Sequence, residues 1–160
     1  MYGGFFSFGF GNSMDCVLKP NDQNIGGIWI GDISSASDKD QLEKNNIKAI
    51  LTVADGTNLH YPAEYEHAVI KADDYINFDL SKHFETSNQF IDNALQKTNV
   101  LVHCFAGISR SSTCVIAYLM KKNGQDAESA YKLVKSKRRE ISPNRGFVRC
   151  LHLYEGYLRE

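Results

Sequence analysis

No run of apolar residues in this 160-residue chain approaches the roughly 20 that a membrane-spanning helix needs. The opening residues Met1-Tyr2-Gly3-Gly4-Phe5-Phe6 have no basic n-region and no long apolar core, and no glycine directly follows Met1. Neither a secretion signal nor the N-myristoylation pattern is therefore expected. Charge of one sign is also missing. Lys plus Arg number 18 against 19 Asp plus Glu, a formal net charge of -1, so the overall balance draws the chain to neither nucleic acid nor a membrane surface. The four cysteines, Cys16, Cys104, Cys114 and Cys150, contain no Cys-x-x-Cys pair, and no Cys/His spacing suits zinc. Without a secretion signal the thiols are expected to be reduced, in the cytoplasm, the nucleus or both. The default fate of each is burial as a small hydrophobe. No internal repeat and no Pro/Ser-rich linker interrupts the chain.

The hydrophobic share of 42% and the nine Phe and eight Tyr describe a folded globular chain of one-domain size. Residues 1–24 read as a loose lead-in, rich in Gly and Phe at its start, with one Phe available to dock on the domain formed by 25–160. From there apolar segments alternate with helical patterns. Ile28-Trp29-Ile30, the β-branched run Ile47 to Val53 before the turn signal Asp55-Gly56, His67 to Lys71, and Val100-Leu101-Val102 read as strands. Asp38 to Asn45 reads as a helix with Leu42 inward, and Leu80, Phe84, Ser87, Ile91 and Leu95 fall at helical spacing. Ser111 to Lys122 is a mostly apolar helix. Asp126 is an N-cap for a helix with Ala127, Ala130, Tyr131 and Val134 on one face. Pro143-Asn144 breaks the chain before a last helix over Phe147 to Leu158. Strands alternating with helices predict an α/β fold with a largely parallel sheet and helices on both faces. In such sheets ligands bind beyond the carboxyl ends of the strands, the edge where Val102 hands over to His103.

At that edge lies His103-Cys104-Phe105-Ala106-Gly107-Ile108-Ser109-Arg110-Ser111-Ser112, between a buried strand and a helix. A loop that curls into a helix N-terminus offers a nest of backbone N–H groups and the positive end of the dipole, which suits the anionic oxygens of a phosphate monoester. Gly107 permits the tight curl. Arg110 closes the loop with a planar fork that holds two oxygens at once, which lysine cannot do, and it suits the charge that spreads over a phosphoryl group in transfer. All of these favour thiolate over thiol at Cys104, a nucleophile able to attack phosphorus and form a cysteinyl-phosphate. Ser111 is placed to donate to that thiolate and ease its departure. Phe105, Ala106, Gly107, Ile108 and Ser109 form the substrate-binding walls. His103, just before the nucleophile in a strand, reads as a support of the loop backbone and not as a base.

This segment resembles the signature loop of the protein tyrosine phosphatase superfamily, and the chain from about Ile25 to Arg159 is similar to the small, atypical dual-specificity phosphatases. Ala117-Tyr118-Leu119-Met120 and Ile141-Ser142-Pro143-Asn144 share that likeness in type and spacing. The resemblance implies a central mixed, mostly parallel sheet of about five strands flanked by about six helices. It implies dephosphorylation of phosphotyrosine and phosphoserine/phosphothreonine in proteins, with no metal and no cofactor. It also implies a general acid on a loop six residues before a core leucine. With Leu80 as that leucine the acid is Asp74, with Asp73 as the alternative, while Asp79 suits the entrance of the following helix. Asn144 is assigned a supporting role.

None of Phe105, Ala106, Ile108 and Ser109 is basic, which argues against a multiply phosphorylated ligand. The expected partners are phosphorylated proteins. A phosphatase of a lipid, glycan or RNA phosphomonoester, and a non-catalytic phosphate-binding module, stand as alternatives. Lys132, Lys135, Lys137, Arg138 and Arg139 form a basic stretch that reads first as a solvated helix end complementing the dipole, and second as a docking patch for acidic substrates.

Overall fold

The structure, a computed structural model, describes residues 11–22 and 25–160. Five strands form one sheet: β1 (Met14–Leu18), β2 (Ile28–Gly31), β3 (Ile47–Val53), β4 (Glu66–Ile70) and β5 (Asn99–His103). Their spatial order is β1-β2-β5-β3-β4. The β2, β5, β3 and β4 strands run parallel, and β1 pairs antiparallel with β2. The sheet is therefore mixed and mostly parallel, as the resemblance implies. The expected strands appear within a residue or so at each end. The Ile47–Val53 run is matched in full.

Apolar residues on both faces put β5 in the middle of two cores. Val100 and Val102 point into the larger one, with Ile30, Leu51, Ile91 and Phe147. Leu101 points the other way, toward Ile50, Ile47, Leu42 and Met14. Each fully buried aliphatic side chain of this kind contributes about 1.5–3 kcal/mol, so the strand that delivers the loop is anchored from both sides.

Among the described residues six helices flank the sheet: α1 (Ile33–Ala36), α2 (Lys39–Lys44), α3 (Phe84–Leu95), α4 (Arg110–Asn123), α5 (Ala127–Lys137) and α6 (Arg145–Leu158). A 3-10 turn, Leu80–His83, leads into α3, and Leu80, Phe84, Ser87, Ile91 and Leu95 are all buried. Asp38, Asp126 and Asn144 each cap a helix by accepting a backbone N–H in its first turn. Thus α6 begins at Arg145, two residues before the expected Phe147, because Asn144 starts a helix as well as ending a loop. Among the described residues no helix is long and apolar enough to cross a membrane.

The expected loose lead-in over 1–24 needs correction. Met14–Leu18 is the edge strand of the sheet, and Val17 is only 2% exposed. An edge strand buries one face and takes its backbone hydrogen bonds from a single neighbour, so five residues that include Asp15 and Cys16 suffice without a strong apolar pattern. The Phe expected to dock falls within residues 1–10, outside the described residues.

Candidate active site

The order of the sheet puts the end of β5 at its centre, flanked by the parallel β2 and β3. The chain leaves β5 at His103, curls through 104–109 and enters α4 at Arg110. The carbonyls of this loop are held from outside. His103 Nδ1 donates to Cys104 O (3.0 Å) and Ile33 N to Phe105 O (2.9 Å). Ser142 N (2.8 Å) and Ser112 Oγ (2.7 Å) donate to Ile108 O, and Thr113 Oγ1 donates to Ser109 O (2.7 Å). In a planar trans peptide the C=O and the following N–H point opposite ways. Carbonyls pinned outward therefore turn the N–H groups of Phe105, Ala106, Ser109 and Arg110 toward the concave side, where α4 adds its positive dipole end. Gly107 has φ +69°, and a Cβ there would lie 2.7 Å from the backbone carbonyl of Gly31. Only glycine fits.

Cys104 is 2% exposed, and its Sγ lies 3.2 Å from Ser111 Oγ. Opposite a thiolate, the serine is the donor. Arg110 Nη1 donates to Ala72 O at 2.9 Å, and the guanidinium sits 5.5 Å from the centre of the Phe105 ring. Its buried Nε has no hydrogen-bond partner. Buried donors are normally paired, and an anion in the loop would pair this one.

His103 is fully buried, with Nε2 2.7 Å from Thr52 Oγ1, which lies 2.9 Å from His67 Nε2. Cys104 O can only accept, so His103 Nδ1 carries the proton. Nε2 then accepts from the Thr52 hydroxyl, whose oxygen accepts from His67 Nε2–H. Burial pushes His103 down to about 4, keeping it neutral, and burial lowers His67 as well.

Asp74 lies on an exposed loop, and its Oδ1 accepts from Asn144 Nδ2 at 2.9 Å. Asn144 also accepts from Phe147 N through Oδ1 (2.9 Å), and its own N–H donates to Ser109 Oγ (3.0 Å). One residue thus joins the Asp74 loop, the cysteine loop and the start of α6. Asp73 is exposed beside Asp74. Asp79 is turned to the 3-10 turn instead. It accepts from Ser81, chiefly through the side-chain hydroxyl, which holds its carboxyl below the usual range. Tyr75 (66% exposed), Ile76, Phe105 and Ile108 present apolar surface on the Asp74 loop and the cysteine loop.

Sequence reasoning leaves out Thr52, His67 and the carbonyl of Ala72, which come from strands and loops far along the chain. It also places Arg138 on the surface with its basic neighbours, which needs correction: Arg138 is 3% exposed and turned inward. Among the described residues no group of three or more His, Cys, Asp or Glu is arranged to hold a metal ion.

A mixed α/β sheet whose central strand delivers a cysteine into an N–H-lined loop closed by an arginine defines a cysteine-dependent phosphatase. Residues 28–156 match the family model "Dual specificity phosphatase, catalytic domain", and the chain belongs to that family. It is 43% identical over 153 residues to Dual specificity protein phosphatase 1B of Arabidopsis thaliana, covering 92% of each chain. It is 43% identical over 126 residues to Dual specificity protein phosphatase 1 of the same plant, covering 78% of this chain and 64% of that one, a little under two thirds of its length. The crystal structure of human DUSP28 superposes with a TM-score of 0.84 at 24% identity, covering 94% of this chain and 97% of that one, a likeness of fold.

Proposed function

We propose that the chain hydrolyses phosphotyrosine and phosphoserine/phosphothreonine in proteins through a cysteinyl-phosphate on Cys104. The observation that carries this reading is the pairing of a buried thiol, 3.2 Å from Ser111 Oγ, with an arginine whose buried Nε is unpartnered on the same loop. The thiolate attacks phosphorus. The S–P bond forms as the P–O bond to the leaving group breaks, and Asp74 gives its proton to the departing oxygen. Water then attacks phosphorus and returns a proton to Asp74. The S–P bond breaks, and the Ser111 hydroxyl donates to the departing thiolate. Arg110 and the loop N–H groups hold the equatorial oxygens throughout.

The neutral side chains at 105, 106, 108 and 109 suit a singly charged site and disfavour polyphosphates, while the apolar Tyr75, Ile76, Phe105 and Ile108 suit a peptide flanking the phosphorylated residue. Hydrolysis of para-nitrophenyl phosphate without added metal, inhibited by vanadate and lost in Cys104→Ser, is the expected result. Activity surviving that substitution would overturn the mechanism. Asp74→Asn is expected to lower turnover by about 10²-fold or more and to abolish the basic limb of the pH–rate profile. An unchanged limb in that variant, with the limb lost in Asp73→Asn, would move the acid to Asp73.

A further inference from the structure

Of the five cations between 132 and 139, Arg138 alone is buried. Its Nε–H donates to Gly107 O at 2.9 Å, and Nη1 donates to Asn12 O at 2.9 Å and to Asp15 Oδ2 at 2.6 Å. Glu140 Oε2 lies 3.6 Å from the same Nη1. Asn12 Nδ2 in turn donates to Asp15 Oδ1 at 3.0 Å, which leaves Oδ2 to the arginine. The guanidinium therefore bridges the N-terminal edge strand and the tip of the cysteine loop.

The contact falls on the one peptide of that loop that glycine sets in the left-handed region. Pinning Gly107 O outward turns the Ile108 N–H inward, completing the ring of donors that the other pinned carbonyls create. A Cβ on Gly107 would also come 2.8 Å from Arg138 Nη2, so the arginine packs directly beneath the curl. Asn12 and Asp15 stand before residue 28, where the family match begins. Asp15 is held in place by its pairing opposite Ile30 in the sheet.

We propose that Arg138 and its counter-ion Asp15 are positioning residues of the phosphate-binding loop, which makes strand β1 part of the catalytic unit. The inference rests on the reading of that loop as the phosphate cradle with Cys104 as nucleophile. Asp15 supplies the negative charge that lets a cation stay buried, and the fork of Arg138 spans from that carboxylate to Gly107. Lysine has a single ammonium and no such fork.

The test compares Arg138→Lys, the triple variant Asp15→Ala, Arg138→Met and Glu140→Gln, and Cys104→Ser with wild type. The readouts are kcat and KM for para-nitrophenyl phosphate, the vanadate inhibition constant and the rate of Cys104 alkylation by iodoacetate across pH. Assays run well below each variant's own melting temperature compare folded protein with folded protein. The triple variant also neutralises Glu140, the other carboxylate beside the guanidinium, so neither acid is left without its cation and stability is separated from positioning. Both loop variants are expected to lose about tenfold or more in kcat/KM and in vanadate affinity, since a displacement of about 1 Å can cost about 10²-fold. Neutral-pH alkylation is expected to slow in parallel. Wild-type kcat/KM, vanadate inhibition and alkylation in both variants, with Cys104→Ser inactive, would refute the positioning role. Activity retained in Cys104→Ser would instead refute the reading of the site on which it rests.

Discussion

The carbonyl of Cys104 fixes the His103 proton on Nδ1, and the Thr52 hydroxyl satisfies the Nε2 that this leaves as an acceptor. Replacing Thr52 by Val keeps the shape and removes the donor, so His103 Nε2 is left as a buried acceptor without a partner. Nδ1–H still faces the Cys104 carbonyl, but the ring has lost the hydroxyl that fixes its other edge, so the anchor of that carbonyl loosens. Such a loss amounts to about 1–3 kcal/mol. Thr52→Val is expected to lower kcat/KM by about tenfold, with Thr52→Ser close to wild type. Equal rates in the two variants would remove Thr52 from the loop's support. Thiol chemistry separates the cysteines in the same way. Burial pushes the Cys114 thiol up to about 12, so iodoacetate at neutral pH is expected to label Cys104 and leave Cys114 untouched, as peptide mass mapping would show. Cys104, Gly107, Arg110 and Ser111 are legible in the sequence because their chemistry is consecutive. Thr52, His67 and Arg138 are not, because nothing local distinguishes a hydroxyl, a ring or a cation that meets the loop only after the chain has folded.

At the scale of elements, Asn144 does two separable things. Its Oδ1 caps α6, and its Nδ2 reaches Asp74. Asn144→Ser keeps an acceptor for the cap and loses the donor to Asp74. Asn144→Ala loses both. The alanine variant is expected to lose about 1 kcal/mol of stability, read as a lower urea midpoint, while the serine variant stays near wild type. Both are expected to lower kcat by about tenfold, because the Asp74 loop loses the bond that ties it to the cysteine loop. Identical kcat in wild type and serine variant would uncouple Asn144 from the acid. Helices were the readable elements, since α3, α5 and α6 repeat their apolar residues at 3.6 and α5 announces its cap at Asp126. Strand β1 left no such mark, because Met14–Leu18 mixes Asp15 and Cys16 with its apolar residues and owes its place to pairing with β2. The cap at Asn144 was hidden behind the more obvious break at Pro143.

For the whole molecule, the buried imidazole makes stability depend on pH. His103 titrates near 4 when folded, depressed by burial, against about 6.5 in an unfolded chain. Between those values the unfolded state binds the extra proton. The stability that comes from keeping the ring neutral is present above about pH 6.5 and is lost as pH falls toward 4, up to about 3 kcal/mol in all. Urea midpoints measured at pH 7 and pH 5 are expected to fall in wild type and to fall less in His103→Asn. Parallel lines for the two proteins would place the dependence elsewhere. Glu85 is held below the usual carboxylate range, mainly by its bond to Lys121, so its contribution persists to lower pH than that of the histidine.

The carbonyls of the cysteine loop are pinned by groups from the start of α1, the end of β5, the first turn of α4, the segment before α6 and, through Arg138, the edge strand. No short piece of the chain contains all of them. A collapsed intermediate can hold Cys104 next to Arg110 and still have no anion site, because the donors face inward only once every outside partner has arrived. Oxyanion binding is therefore a gauge of finished folding. By mass action, vanadate at about 100 times its dissociation constant is expected to add about 2.7 kcal/mol to the native state alone. In refolding, its binding should appear with the slowest phase and not with the burst of secondary structure.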